Sequence, residues 1–137
     1  METINRESEA IGSGTLGAEG DTQLAIEATA ISKQTSETLM SGERIMEALD
    51  IADAERAAFA DYEEAKSRLS QSEADLLPPP SKNPVLAAYD MEPDQYVLMV
   101  IEKIHGTALL DALIVLPFVK VLSLMAYLSE WARKASN

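Results

Sequence analysis

Cysteine is missing from this 137-residue sequence, which excludes disulfides, a thiolate nucleophile and cysteine-ligated zinc, and leaves the chain indifferent to redox compartment. Histidine is nearly missing: His105 stands alone beside Gly106, where the spacing predicts an exposed turn between helices. Catalysis needs convergent acid, base or nucleophile groups, and a metal site needs ligands at defined spacing. The acidic pairs Glu63 with Glu64 and Asp50 with Asp53 have no second histidine and no EF-hand pattern around them, so they read as a solvated helical face. GTLGAEG brings glycines together without a preceding strand or a GK[ST], so it is not a phosphate loop. We therefore expect no enzyme, no catalytic, cofactor-binding or metal-ligating residue, no cofactor and no small-molecule substrate.

Positive charge is scarce too, with 11 lysines and arginines against 23 acids. Residues 1–40 hold seven acids and two bases, residues 41–75 ten and four, and residues 76–137 six and five. The formal charge of −12 thus sits almost wholly in the first 75 residues, the opposite of the phosphate-neutralising surface that a nucleic-acid binder needs. RNA contact is expected to be indirect at most. Tyr96, Tyr127 and Trp131 could stack on bases, but nothing basic surrounds Tyr96 in the sequence and all three fall at helical positions, so packing is the expectation. The opening METINRESEAIGSGTLG has no apolar core and reads as neither a signal nor a transit peptide. The longest apolar run, Ala108 to Leu128, contains Asp111, Pro117 and Lys120, so packed helices suit it better than a membrane span.

What is present is helical throughout. Residues 1–24 combine glycines with Ser, Thr and Glu and read as a flexible linker. Residues 25–76 lack proline and read as a long acidic helical segment of one or two amphipathic helices, whose length should make it lie along something. Its predicted stripe is Leu39, Ile45, Met46, Leu49, Ala52 and Phe59; Gly42, on that stripe, marks either a close crossing or a tolerated glycine. Pro78, Pro79 and Pro80 then stop the helix. Residues 77–137 read as a partial C-terminal helical domain of antiparallel α-hairpins, the overall class being all-α. A short helix follows Asn83 and Pro84 and ends near Asp90. Pro93 opens the next, and Gly106 ends it. Thr107 is the expected cap of a third, and Pro117 begins a fourth, Phe118 to Lys134.

This C-terminal region holds more apolar surface than its own helices can cover. The expected core or protein-interface positions are Tyr96, Val100 and Ile104, then Leu113 and Ile114. In the last helix they are Phe118, Val121, Leu122 and Met125, together with Trp131, while Val119, Leu124 and Tyr127 fall outside the core stripe. A core placement for Phe118 implies a cost of about 3 to 5 kcal/mol for Phe118→Ala. A helix apolar on more than one side needs other helices to cover it.

The ordered segments GERIMEALDIADAER, PPPSKNPVLAAYDMEPDQYVLMVIEKI and TALLDALIVLPFVKVLSLMAYLSEW resemble the helical region that follows the propellers in the tandem WD-repeat subunits of the UtpB module. The preceding ATAISKQTSETLMSGER is similar to the connecting helix of that family, so the resemblance covers roughly residues 25–135. It implies a non-enzymatic scaffold segment of the small-subunit processome, acting with the U3 small nucleolar ribonucleoprotein in pre-rRNA processing and ribosome biogenesis. The implied partners are the related helical C-terminal domains of other UtpB subunits within a large ribonucleoprotein. The implied location is the nucleus and nucleolus. Propeller sequence is absent, Glu92 stands where a serine-like cap is usual before Pro93, and Val119 stands where a polar residue is common. The expectation is a fragment, cut before the helices that complete the domain. Two other readings compete: a membrane-associated hairpin with Pro117 at its tip, and an unrelated acidic helical adaptor.

Overall fold

The structure, a computed structural model, describes residues 15–137, and all of its regular elements there are helices. In chain order they are α1 (Thr15–Ser67), α2 (Gln71–Ala74), α3 (Pro84–Tyr89), α4 (Pro93–Glu102), α5 (Gly106–Ile114) and α6 (Phe118–Ala135). The all-α expectation holds. Helix α1 begins at Thr15, ten residues before the expected Ala25; a glycine such as Gly20 costs about 1 kcal/mol but does not stop a helix that propagates from a long run behind it. The rest of the expected linker, residues 1–14, lies outside the described residues. At its other end α1 stops at Ser67, and Ser70 starts α2 with a reciprocal capping box: its hydroxyl accepts from the Glu73 amide while the Glu73 carboxylate accepts from the Ser70 amide.

Side chains set the later boundaries. The Asn83 side-chain oxygen accepts from the Val85 amide at 2.9 Å with Pro84 in the first turn, and Asp90 closes α3 in the left-handed region at φ 52°. At α4 the glutamate found in place of a serine cap is accommodated from below, because Gln95 Oε1 accepts from the Glu92 amide at 3.0 Å. Two expected caps shift by a residue or two. His105 rather than Thr107 precedes α5, and Pro117 is the cap of α6 rather than its first turn.

The chain divides into two units, Met1–Glu37 and Thr38–Asn137. Of the first, the described residues are the opening of α1, on which Leu24, Ile26 and Ile31 are exposed. The second has the core. Ile45, Leu49 and Ala52 of α1 meet Val97 of α4, Ile104, Ala108 and Ala112 of α5, Leu116, and Leu124 and Tyr127 of α6. Each fully buried Ile45, Leu49 or Val97 contributes about 1.5 to 3 kcal/mol. Gly42 makes no close crossing: a Cβ there would meet nothing within 4 Å, so it is a tolerated glycine.

Several sequence placements need correction. On α1, Ile45 and Leu49 are buried and Met46 packs half-buried beside them, but Leu39 and Phe59 are exposed. Of the expected core or protein-interface positions, Ile114, Phe118, Leu122 and Met125 are exposed, Phe118 by 73%, so they are not in the core of this chain, while Leu124 and Tyr127 are buried. Of the expected α6 positions only Val121 and Trp131 pack against the core, and Leu124 and Tyr127 take the inward places instead of the rest. The physical reason is polar: Lys120, Tyr127 and Glu130 share the inward face and find partners on α1, whereas the Phe118 stripe has nothing polar to offer them.

Candidate interaction surface

Helix α6 presents two unlike faces. Its inner face is a ladder of polar contacts with α1: Lys120 with Asp50, Tyr127 with Asp53, and Arg56 with Glu130. The partners rise along both helices together, so α6 runs in the same direction as α1. The Tyr127 hydroxyl donates to Asp53 Oδ1 at 2.9 Å, and the Arg56 guanidinium lies 4.3 Å from the centre of the Tyr127 ring. Burial first, then the bond to Asp53, raises the hydroxyl's pKa above its ordinary 10.0. For Glu130 burial pushes upward, but the bonds from Arg56 and Lys134 outweigh it and hold its carboxyl below the usual range. The start of α4 is tied to the end of α6, as Trp131 Nε1 donates to the Asp94 carbonyl at 3.2 Å and Lys134 Nζ to Asp94 Oδ2 at 2.6 Å.

Asp50 and Asp53 are therefore not simply a solvated face. The signal available in the sequence was Asp50, Asp53 and Arg56 at three-residue spacing above a tyrosine, a lysine and a glutamate that share one face of another helix. Sequence reasoning missed it because acidic helices usually carry such residues to solvent.

Beside the ladder opens a cleft of about 460 Å³ that includes Glu55, Arg56, Phe59, Asp94, Glu130 and Lys134. Its acids are already engaged. Both oxygens of Glu55 accept from the Asn83 amide, at 3.1 and 3.3 Å, and Asp94 and Glu130 are paired as above. The cleft thus works as a tie between α1, the segment before α3, α4 and α6. Among the described residues no group of three metal-ligating side chains converges. No described helix is long and apolar enough to cross a membrane, which leaves the hairpin reading without a span.

The outer face is different in kind. Leu110 and Ile114 of α5, Val115, and Phe118, Val119, Leu122 and Met125 of α6 are all exposed. Of the other expected positions, Ile104 is buried, and Tyr96, Val100, Leu113, Val121 and Trp131 are half-buried. The surface rests on a fixed base, because the ladder pins the opposite side of the same helix.

No protein-family model matches the chain. It is 36% identical over 103 residues, 74% of its length, to U3 small nucleolar RNA-associated protein 12 of Saccharomyces cerevisiae. It is 32% identical over 106 residues, 77% of its length, to WD repeat-containing protein 3 of Homo sapiens. The WD repeat-containing protein 3 homolog of Dictyostelium discoideum matches at 32% over 112 residues, or 81%. The chain resembles one segment of these proteins. It spans 11% of the length of the curated relatives it matches.

Proposed function

We propose that this chain is a non-enzymatic assembly segment of a small-subunit processome protein of the UtpB module, serving pre-rRNA processing in the nucleolus. It docks its outer α5–α6 face against the related helical domains of other subunits. The observation that carries this reading is the cluster of exposed large apolar side chains around Phe118 and Leu122, the kind of surface that marks an interaction site. Such surfaces bind helices through their apolar rows. The similarity to U3 small nucleolar RNA-associated protein 12 and WD repeat-containing protein 3 supports the assembly in which that docking occurs.

The test is co-expression of the chain with the C-terminal helical domains of UtpB subunits, followed by affinity purification. The wild-type chain co-purifies with at least one of them, and Phe118→Asp or Leu122→Asp abolishes recovery while helical content stays unchanged. Equal recovery with and without the aspartates removes the α5–α6 face from the proposal. No recovery of any such domain leaves the unrelated acidic adaptor as the better reading.

A further inference from the structure

A second, smaller cleft of about 220 Å³ lies away from the outer α5–α6 face, where α1, α3 and α4 meet. It brings together Arg44 and Glu47 of α1, Tyr89 of α3, and Tyr96, Met99 and Lys103 of α4 or its end. Along the chain nothing basic stands beside Tyr96, which favours packing over stacking for that ring. The fold supplies two basic neighbours. Arg44 and Lys103 line the cleft, and, like Lys33, Lys66, Lys82 and Arg133, neither is in an ion pair among the described residues.

The aromatic part is equally particular. The Tyr89 and Tyr96 rings lie with centroids 5.8 Å apart and planes tilted by 48°. Tyr96 is half-buried and holds the pair in place, while Tyr89 is 50% exposed, so a flat surface remains open to solvent. Lys103 Nζ lies 5.9 Å from the centre of the Tyr89 ring, which puts a cation next to that surface. Glu47 also borders the cleft and provides an acceptor near the rings. A flat aromatic platform, two cations at its rim and one carboxylate acceptor match the three parts of a nucleotide: a base face, a phosphate and the N–H edge of a base.

We propose that this cleft binds one nucleotide, with its base stacked on Tyr89, its phosphate held by Arg44 and Lys103, and a base N–H donated to Glu47. Single-stranded RNA and a free mononucleotide offer the same chemistry. The acidic surface elsewhere limits contact to this one position, so affinity is low and falls with salt.

The test titrates the full chain into fluorescein-labelled single-stranded RNA heptamers of A, C and U at low salt and reads anisotropy. A and C strands, whose exocyclic amino group can turn an N–H to Glu47, bind more tightly than U, whose single base N–H lies between two carbonyl oxygens that the carboxylate repels, and Glu47→Gln reduces that preference. Tyr89→Ala weakens binding by roughly 5- to 100-fold, the range expected on losing one stacked base, with a small fall in thermal stability from the lost Tyr96 contact and unchanged helical content. Lys103→Ala weakens binding of all three strands and lowers the salt slope by about one. Adenosine 5′-monophosphate competing as strongly as the A strand assigns the site to a free nucleotide, and weaker competition assigns it to RNA. The control is Lys66→Ala: that lysine lies 5.6 Å from the Tyr62 ring on α1 without such a cleft. Binding that is unaffected by Tyr89→Ala, or weakened as much by Lys66→Ala as by Lys103→Ala, overturns the proposal, as does the absence of binding to any strand.

Discussion

Replacing Tyr127 by phenylalanine isolates one rung of the α1–α6 ladder. The ring is 1% exposed, and phenylalanine fills almost the same volume, so the apolar burial and the Arg56 contact to the ring face survive. What is lost is the hydroxyl's donation to Asp53 Oδ1 at 2.9 Å. A hydrogen bond to a charged acceptor contributes about 1.5 to 3 kcal/mol, and Asp53 is half-buried and regains water, so the lower end applies. Urea unfolding at neutral pH, followed by far-ultraviolet circular dichroism, should therefore show a loss of about 1.5 kcal/mol with an unchanged denaturant slope. Alkaline pH gives a second, independent reading. The folded state raises the hydroxyl's pKa above 10.0, so its stabilising contribution is complete below the unfolded value and declines as pH rises beyond it. The variant has no such group. The stability gap between wild type and Tyr127→Phe should thus stay constant up to about pH 9 and narrow as pH rises above about 10. A variant as stable as wild type at neutral pH, or a gap that does not narrow at alkaline pH, refutes the rung as described.

Other outcomes follow from the same packing. Phe118→Ala in the chain alone should change stability by no more than about 0.5 kcal/mol, because the ring is exposed, whereas Leu49→Ala should cost about 2 to 5 kcal/mol; chemical denaturation compares them directly. Gly42→Ala should raise stability by about 1 kcal/mol, since the new methyl meets no atom within 4 Å; a loss in the same assay would mean that the site is tighter than the structure shows. Glu130 has a lowered pKa, so its contribution is present above the unfolded value and is lost as pH falls through the folded one. An acid titration of Glu130→Gln should accordingly be flatter than wild type at and below about pH 4.

The two faces of α6 have different consequences for assembly. The inner face fixes the helix to α1 by side chains whose geometry is specific, and the outer face is left apolar and accessible. A mutation on the inner face should therefore damage the fold before the docking, and one on the outer face the docking alone. This separation makes the proposed docking testable with variants that still fold.

Element existence was readable because local chemistry suffices for it. Asn83 with Pro84 starts one helix, and Pro93 and Pro117 stand at the openings of two more, each by effects confined to a turn of chain, whereas α1 stops at Ser67, well before the prolines expected to end it. The exclusion of thiol chemistry also belongs to the sequence, since composition alone decides it. Which face of α6 points inward did not. Phe118, Leu122 and Met125 form as good an apolar stripe as Leu124 and Tyr127, so hydrophobicity gives the helix no choice, and the contacts of Lys120, Tyr127 and Glu130 with Asp50, Asp53 and Arg56 make it. The gathering of Arg44, Tyr89, Tyr96 and Lys103 at one cleft likewise spans three helices. The sequence by itself determined that the chain is helical and where α3, α4 and α6 begin, because those starts depend on neighbours along the chain. Only the tertiary structure decided which side chains meet, because partners more than 30 residues apart are selected by packing, and no local pattern records it.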